Sequence, residues 1–188
     1  VRARGGGWRE IVLRTPWLAE GGIAALDRIA SSGLSAVEIP YFTHRPDVHD
    51  RTVGAPGRFA ATERAAHAVI ASPLRLRVLL LVCEANAREL PACVPHFRTA
   101  LRGVDRVAVC LFPGNAGRGA VGNRPAAWLD VARGLPELLP NLSDSGIPAR
   151  AMTRSGIAPC VFADAPDLCA YLHDDPAYAP MHRGSLAK

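Results

Sequence analysis

One stretch limits the architecture more than any other. LRLRVLLLVC at 74–83 closes on six consecutive apolar residues, VLLLVC. The run is far too short to span a bilayer, and it does not alternate as a strand with one wet face does. A strand of this kind is covered on both faces, which is the environment of a parallel sheet in an α/β fold. Parallel strands need crossovers, so the segments between strands are expected to be helices.

The remaining sequence supplies them in order. REIVLRT at 9–15 reads as a short strand. The helix expected over 19–33 turns Ile23, Leu26 and Ile29 to one face and has Gly33 to end it. SAVEIPYF at 35–42 is a second strand, and 59–72 is an Ala-rich helix with Ala66, Val69 and Ile70 inward. The third strand is 74–83. The next helix is expected over 85–103, with Asn86 and Glu89 at capping-box spacing. Leu90, Val94, Phe97 and Leu101 follow as an apolar stripe. Pro91 fits the first turn, and Pro95 kinks the helix or delays its start. A strand over 104–112, a helix over 125–142 interrupted at Gly134 and Pro136, and a strand over 147–153 complete the series.

Strand and helix thus alternate every 30 to 40 residues, the pattern of βαβ units. A closed eight-stranded barrel takes about 250 residues. This chain has 188 residues and four to five strands, so the expectation is α/β: a partial (β/α) barrel or a small open sheet. Residues 1–163 form that unit and 164–188 an irregular tail. Ligands then meet the carboxyl ends of the strands, at 15–21, 43–57, 83–86 and 113–124. With aromatics at 6%, the core must be built mainly from Ala, Leu and Val.

Charge and cysteine usage narrow the functional classes. The net charge is +5, but the arginines are spread along the chain, so no basic stripe tracks a phosphate backbone. The five cysteines form no CxxC pair and no regular framework, which points to a reducing, cytoplasmic compartment. The start lacks an apolar stretch of signal-peptide length. Its first residue is Val, and the chain is expected to begin within a larger ancestral domain.

Four features bear on chemistry. HRPDVHDRTVGAPGRF at 44–59 places His44 and His49 beside Asp47 and Asp50. A zinc site needs ligands held tetrahedrally, so the favoured reading is a long βα loop with solvated polar residues and turns at Gly54 and Gly57. PGNAGRG at 113–119 could bring backbone N–H groups to a ligand, though it matches neither a dinucleotide fingerprint nor a P-loop. Cys83 and Cys110 read as core residues near strand ends, and Cys160 and Cys169 as structural thiols or a partial metal site. Glu38 and Glu84 lie on or just after strands, where a carboxylate serves as base or ligand, or pairs with a neighbouring Arg.

These segments, in this order, resemble the later part of the radical S-adenosylmethionine (radical SAM) barrel. That family shows a strand followed by "HD…G.PG.F..T", and here His49, Asp50, Gly54, Gly57, Phe59 and Thr62 take those places. Asn86, Glu89 and Leu90 match its "N..EL", Pro113, Gly117, Arg118 and Gly119 its "P...GRG", and SGIAPCVF its "GIPPC". The resemblance spans roughly residues 9–163. It implies a partial barrel of radical SAM type, with S-adenosylmethionine and a [4Fe–4S] cluster as the family's cofactors. It carries His49, Asp50, Asn86, Pro113 and Gly117 to the cofactor-side rim.

The departure is in the engine. The family anchors its cluster with CxxxCxxC, and these 188 residues contain no such motif. The expectation is therefore a truncated or degenerate radical SAM-like protein, unable to bind the cluster or cleave S-adenosylmethionine alone. The alternatives are a metal-dependent TIM-barrel isomerase or endonuclease using Glu38, His44 and His49, or a non-catalytic binding module. An open sheet edge would invite a partner protein or self-association.

Overall fold

The computed structural model describes residues 10–16, 18, 22–112 and 124–151. Pro113 and Gly117, the rest of the Gly-rich loop, Cys160, Cys169, the SGIAPCVF segment and the expected tail lie outside them. Among the described residues, five strands form one all-parallel sheet in the order β1-β2-β3-β4-β5. The strands are Val12–Arg14 (β1), Ala36–Tyr41 (β2), Arg75–Val82 (β3), Val104–Leu111 (β4) and Ala149–Ala151 (β5). Each strand pairs with its successor, so the chain advances in one direction and never reverses. With right-handed crossovers, that order places every helix on the same face of the sheet.

The packing agrees. Val37, Ile39 and Tyr41 of β2, Leu76, Val78, Leu80 and Val82 of β3, and Val107 and Val109 of β4 form one core with the helices. Their neighbours along each strand point the other way. That second face carries a row from Arg14 through Glu38 and Arg77 to Arg106, in register across four strands. Pro40, Leu79, Ala108 and Arg150 form the next row toward the carboxyl ends, followed by Leu81 and Cys110.

The helices are α1 (Leu26–Ser31), α2 (Pro46–Val53), α3 (Arg58–Ile70), α4 (Cys93–Thr99) and α5 (Trp128–Asp144). α3 matches its expected place and buries Thr62, Ala65, Ala66 and Val69. α1 is shorter than its pattern suggested, being preceded by a 3-10 turn over Gly22–Ala25 and followed by Gly33 at φ 93°.

Three local expectations are corrected. The stretch after β2 is not a solvated loop: Pro46 opens α2, where a missing N–H costs nothing, and Gly54 closes it at φ 79°. The segment after β3 begins with turns and a 3-10 turn over Leu90–Ala92, and becomes α-helical only at Cys93. Pro95 therefore sits in the first turn of α4, and the stripe Leu90, Val94, Phe97 and Leu101 is buried as expected. α5 runs unbroken through Gly134, Pro136 and Pro140. Val131, Leu135, Leu138, Leu139 and Leu142 are all fully buried, so apolar packing outweighs the hydrogen bonds that the prolines forfeit. No helix among the described residues is long and apolar enough to cross a membrane.

Candidate functional site

The carboxyl ends of β2 and β3 are tied together by Asn86. Its side-chain amide donates to the carbonyls of Phe42 (2.5 Å) and Leu81 (2.7 Å), and its Oδ1 accepts from the Cys83 N–H (2.8 Å). The residue is buried. Asn86 is thus not a helix cap, as its spacing to Glu89 suggested. It satisfies backbone groups that two diverging loops would otherwise leave unmet.

Asp50 has an equally definite role. α3 starts at a glycine, Gly57, which offers no capping side chain. The Asp50 carboxylate reaches across from α2 and accepts the N–H groups of Gly57 (2.5 Å) and Phe59 (2.6 Å). Two orphan donors at a positive helix end are met by one anion. The spacing in HDRTVGAPGRF follows from this geometry: an acid on one helix, a left-handed stop at Gly54, a left-handed start at Gly57, and a second N–H at Phe59.

His49 precedes Asp50 and turns inward. It is 2% exposed, and its ring meets Tyr41, Phe42 and Phe59 edge-on at centroid distances of 5.5–5.9 Å. Neither ring nitrogen has a hydrogen-bond partner, and Nδ1 is 3.9 Å from Asp50 Oδ1, beyond bonding range. Burial drives the imidazole pKa down to about 4, against the opposing pull of Asp50 and Glu63, so the ring is neutral at physiological pH. The ring lines a cleft of about 120 Å³ between the β2 end and α2–α3, with Pro16, Ile39, Pro40, Phe42, Val53, Arg58 and Thr62.

On the other side of Tyr41 lies a polar network that the sequence did not announce. The Tyr41 hydroxyl donates to Glu63 Oε1 (2.9 Å) and lies 2.9 Å from His96 Nε2, which is itself 3.2 Å from Glu63 Oε1. Burial pushes the Tyr41 hydroxyl far above its usual range, and the Glu63 charge adds to this. Burial also works to raise the Glu63 carboxyl, but the hydrogen bonds from His96 and Tyr41 outweigh it and hold Glu63 below its ordinary value. Cys93 Sγ lies 3.6 Å from His44 Nδ1. Burial pushes that thiol up to about 11, so this Cys–His pair holds a thiol rather than a nucleophilic thiolate. Burial, with the neighbouring His96, lowers the His44 pKa. The residues come from β2, the bend that follows it, α3 and α4, and only the fold brings them together.

The sheet face away from the helices is polarised along the strands. At the amino end, Glu38 pairs with Arg14, while Arg77 donates to Glu10 (2.7 Å) and Asp105 (3.2 Å). Toward the carboxyl end the same face offers Pro40, Leu79, Leu81, Ala108 and Cys110. Glu38 is therefore committed to an arginine, as a structural carboxylate is. Among the described residues no group of three or more His, Cys, Asp or Glu side chains is placed to hold a metal ion. Among the described residues the three cysteines do not gather: Cys83 and Cys93 are buried with raised thiol pKa values, and Cys110 lies on β4.

Of the residues carried to the rim by resemblance, His49, Asp50 and Asn86 do gather at the carboxyl end of β2. Asp50 and Asn86 spend their polar atoms on backbone, and His49 alone keeps its own unmet. Comparison with protein-family models and with curated proteins returned no match.

Proposed function

We propose that this chain is the later part of a radical SAM-type barrel, whose carboxyl-end rim faces the cofactor and substrate while the cluster is supplied from outside these 188 residues. The observation that carries the reading is the sheet order. Five parallel strands succeed one another without reversal and keep their helices on one face, as an arc of a (β/α) barrel does, and not as a doubly wound sheet does. The HD…G.PG.F segment supports it, because its acid and glycines have a concrete job in joining α2 to α3. The apolar inner face near the carboxyl ends of β3 and β4 is a suitable floor for an organic ligand. In this reading the chain alone does not cleave S-adenosylmethionine, and a partner protein, or self-association through the sheet edge, completes the assembly. We favour it over the metal-dependent isomerase reading because Glu38 pairs with Arg14, His49 is enclosed by aromatic rings and His44 Nδ1 lies against the Cys93 thiol.

The test is anaerobic reconstitution with iron and sulfide, followed by visible spectroscopy and an assay for 5′-deoxyadenosine. The expected result is no stoichiometric [4Fe–4S] absorbance and no cleavage by the chain alone. A stoichiometric cluster that disappears when all five cysteines are replaced by Ala would overturn the claim that the cluster comes from elsewhere.

A further inference from the structure

The sheet face away from the helices carries more positive charge than its own carboxylates balance. Arg14, Arg75, Arg77, Arg106 and Arg150 project from it. The carboxylates beside them are Glu10, Glu38 and Asp105, and these are held by Arg14, Arg75 and Arg77. Arg106 forms no ion pair among the described residues, yet it is half-buried beside Arg77, its register partner on β3. Like charges opposite each other on a partly desolvated sheet face call for an anion. One row on, Leu79 is 5% exposed, although it is not part of the core that the helices cover. The face therefore asks for a cover that is apolar and acidic together.

Charge separates the longer stretches of chain outside the described residues. Residues 1–9 carry three arginines and no acid, and 113–123 carry Arg118 and no acid. Residues 155–182 carry Asp164, Asp167, Asp174 and Asp175 and neither Lys nor Arg. The same stretch interleaves these acids with Val161, Phe162, Leu168, Tyr171 and Leu172. β5 ends at Ala151, beside β4. The 13 residues from there to Asp164 reach about 43 Å when extended, and crossing from β5 to β2 takes about 15 Å. We propose that residues 160–175 of this chain dock across its own helix-free sheet face, with their aspartates toward Arg77 and Arg106 and their apolar side chains over Leu79. The inference goes beyond the radical SAM reading and does not rest on it.

A nitroxide tag on Cys169 tests it in the full chain carrying Cys110→Ser and Cys160→Ser, since Cys83 and Cys93 are buried. The ¹H–¹⁵N spectrum is expected to show broadened amides over Leu79–Leu81 and Arg106–Cys110, and much weaker broadening over α3 and α5. Asp164→Lys combined with Asp167→Lys, both outside the sheet, is expected to reduce the relaxation enhancement at least about twofold. Adding Arg106→Glu to that chain is expected to restore it. A ¹⁵N-labelled chain mixed with a tagged, unlabelled chain reports contact between copies. Broadening only in that mixture gives the face to a second copy and overturns the proposal. Broadening centred on the helices, no broadening on β3 and β4, or an enhancement indifferent to the Lys substitutions would also overturn it.

Discussion

Asp50 joins two helices through a single carboxylate, and its removal has a calculable cost. Asp50→Ala leaves the N–H groups of Gly57 and Phe59 to water, and caps of this kind contribute about 1–2 kcal/mol. Urea unfolding is expected to show that loss, with Asp50→Asn recovering part of it. Asn86 is more deeply committed. Asn86→Ala strands the Cys83 N–H and the Phe42 carbonyl in a buried site, and a loss of about 3 kcal/mol is expected by the same measurement. His49 links stability to pH. Its folded pKa of about 4 lies below the unfolded value near 6.5, so the unfolded chain binds the proton more readily. The stabilisation is complete above pH 6.5 and is lost as pH falls toward 4, by about 3 kcal/mol in all. His49→Phe is expected to flatten that slope between pH 6.5 and 4 while keeping stability at pH 7. The resemblance carried Asp50 and Asn86 toward a cofactor, and their hydrogen bonds show structural work. The sequence could not show this, because the partners are backbone groups as far as 44 residues away.

At the scale of elements, the strands were readable because burial imposes a pattern on them. The apolar run of β3 survives in sequence, and so does the Leu90–Leu101 stripe. α2 escaped notice because its apolar face is small. Its buried positions are Val48, His49 and Thr52, two of which count as polar in any hydropathy pattern. Pro46, Asp47 and Gly54 were the available signal: a proline at the first turn, an acid beside it, and a left-handed glycine at the end. α5 was expected to break at Gly134 and Pro136, yet five buried aliphatic residues hold it to the core. Gly134 is there for contact, not flexibility. A Cβ at that position would meet the Ala87 carbonyl oxygen at 2.9 Å and the Leu90 side chain at 3.3 Å. Gly134→Ala gains about 1 kcal/mol of helix propensity and loses more through overpacking. A net destabilisation of about 1–2 kcal/mol is expected from thermal or urea denaturation.

Across the whole molecule, the parallel order and the one-sided helical layer leave a sheet face with a charged row at one end and, on β2–β4, apolar residues at the other. The sequence conveyed the count of strands and their parallel pairing, since crossover helices leave a regular spacing. It could not convey the Tyr41–Glu63–His96 network or the His49 cleft, which arise where three or four distant segments meet. In the proposed function the carboxyl ends of β2–β4 form the cofactor-facing rim of a radical SAM-type barrel. Its most direct test is a titration of millimolar S-adenosylmethionine into the full chain, read residue by residue by ¹H–¹⁵N NMR. Saturable shifts are expected, confined to the carboxyl-end rim at Thr43, Cys83 to Asn86 and Phe112. Shifts confined to the amino-end row of Arg14, Glu38 and Arg77, or no saturable shift at all, would contradict it.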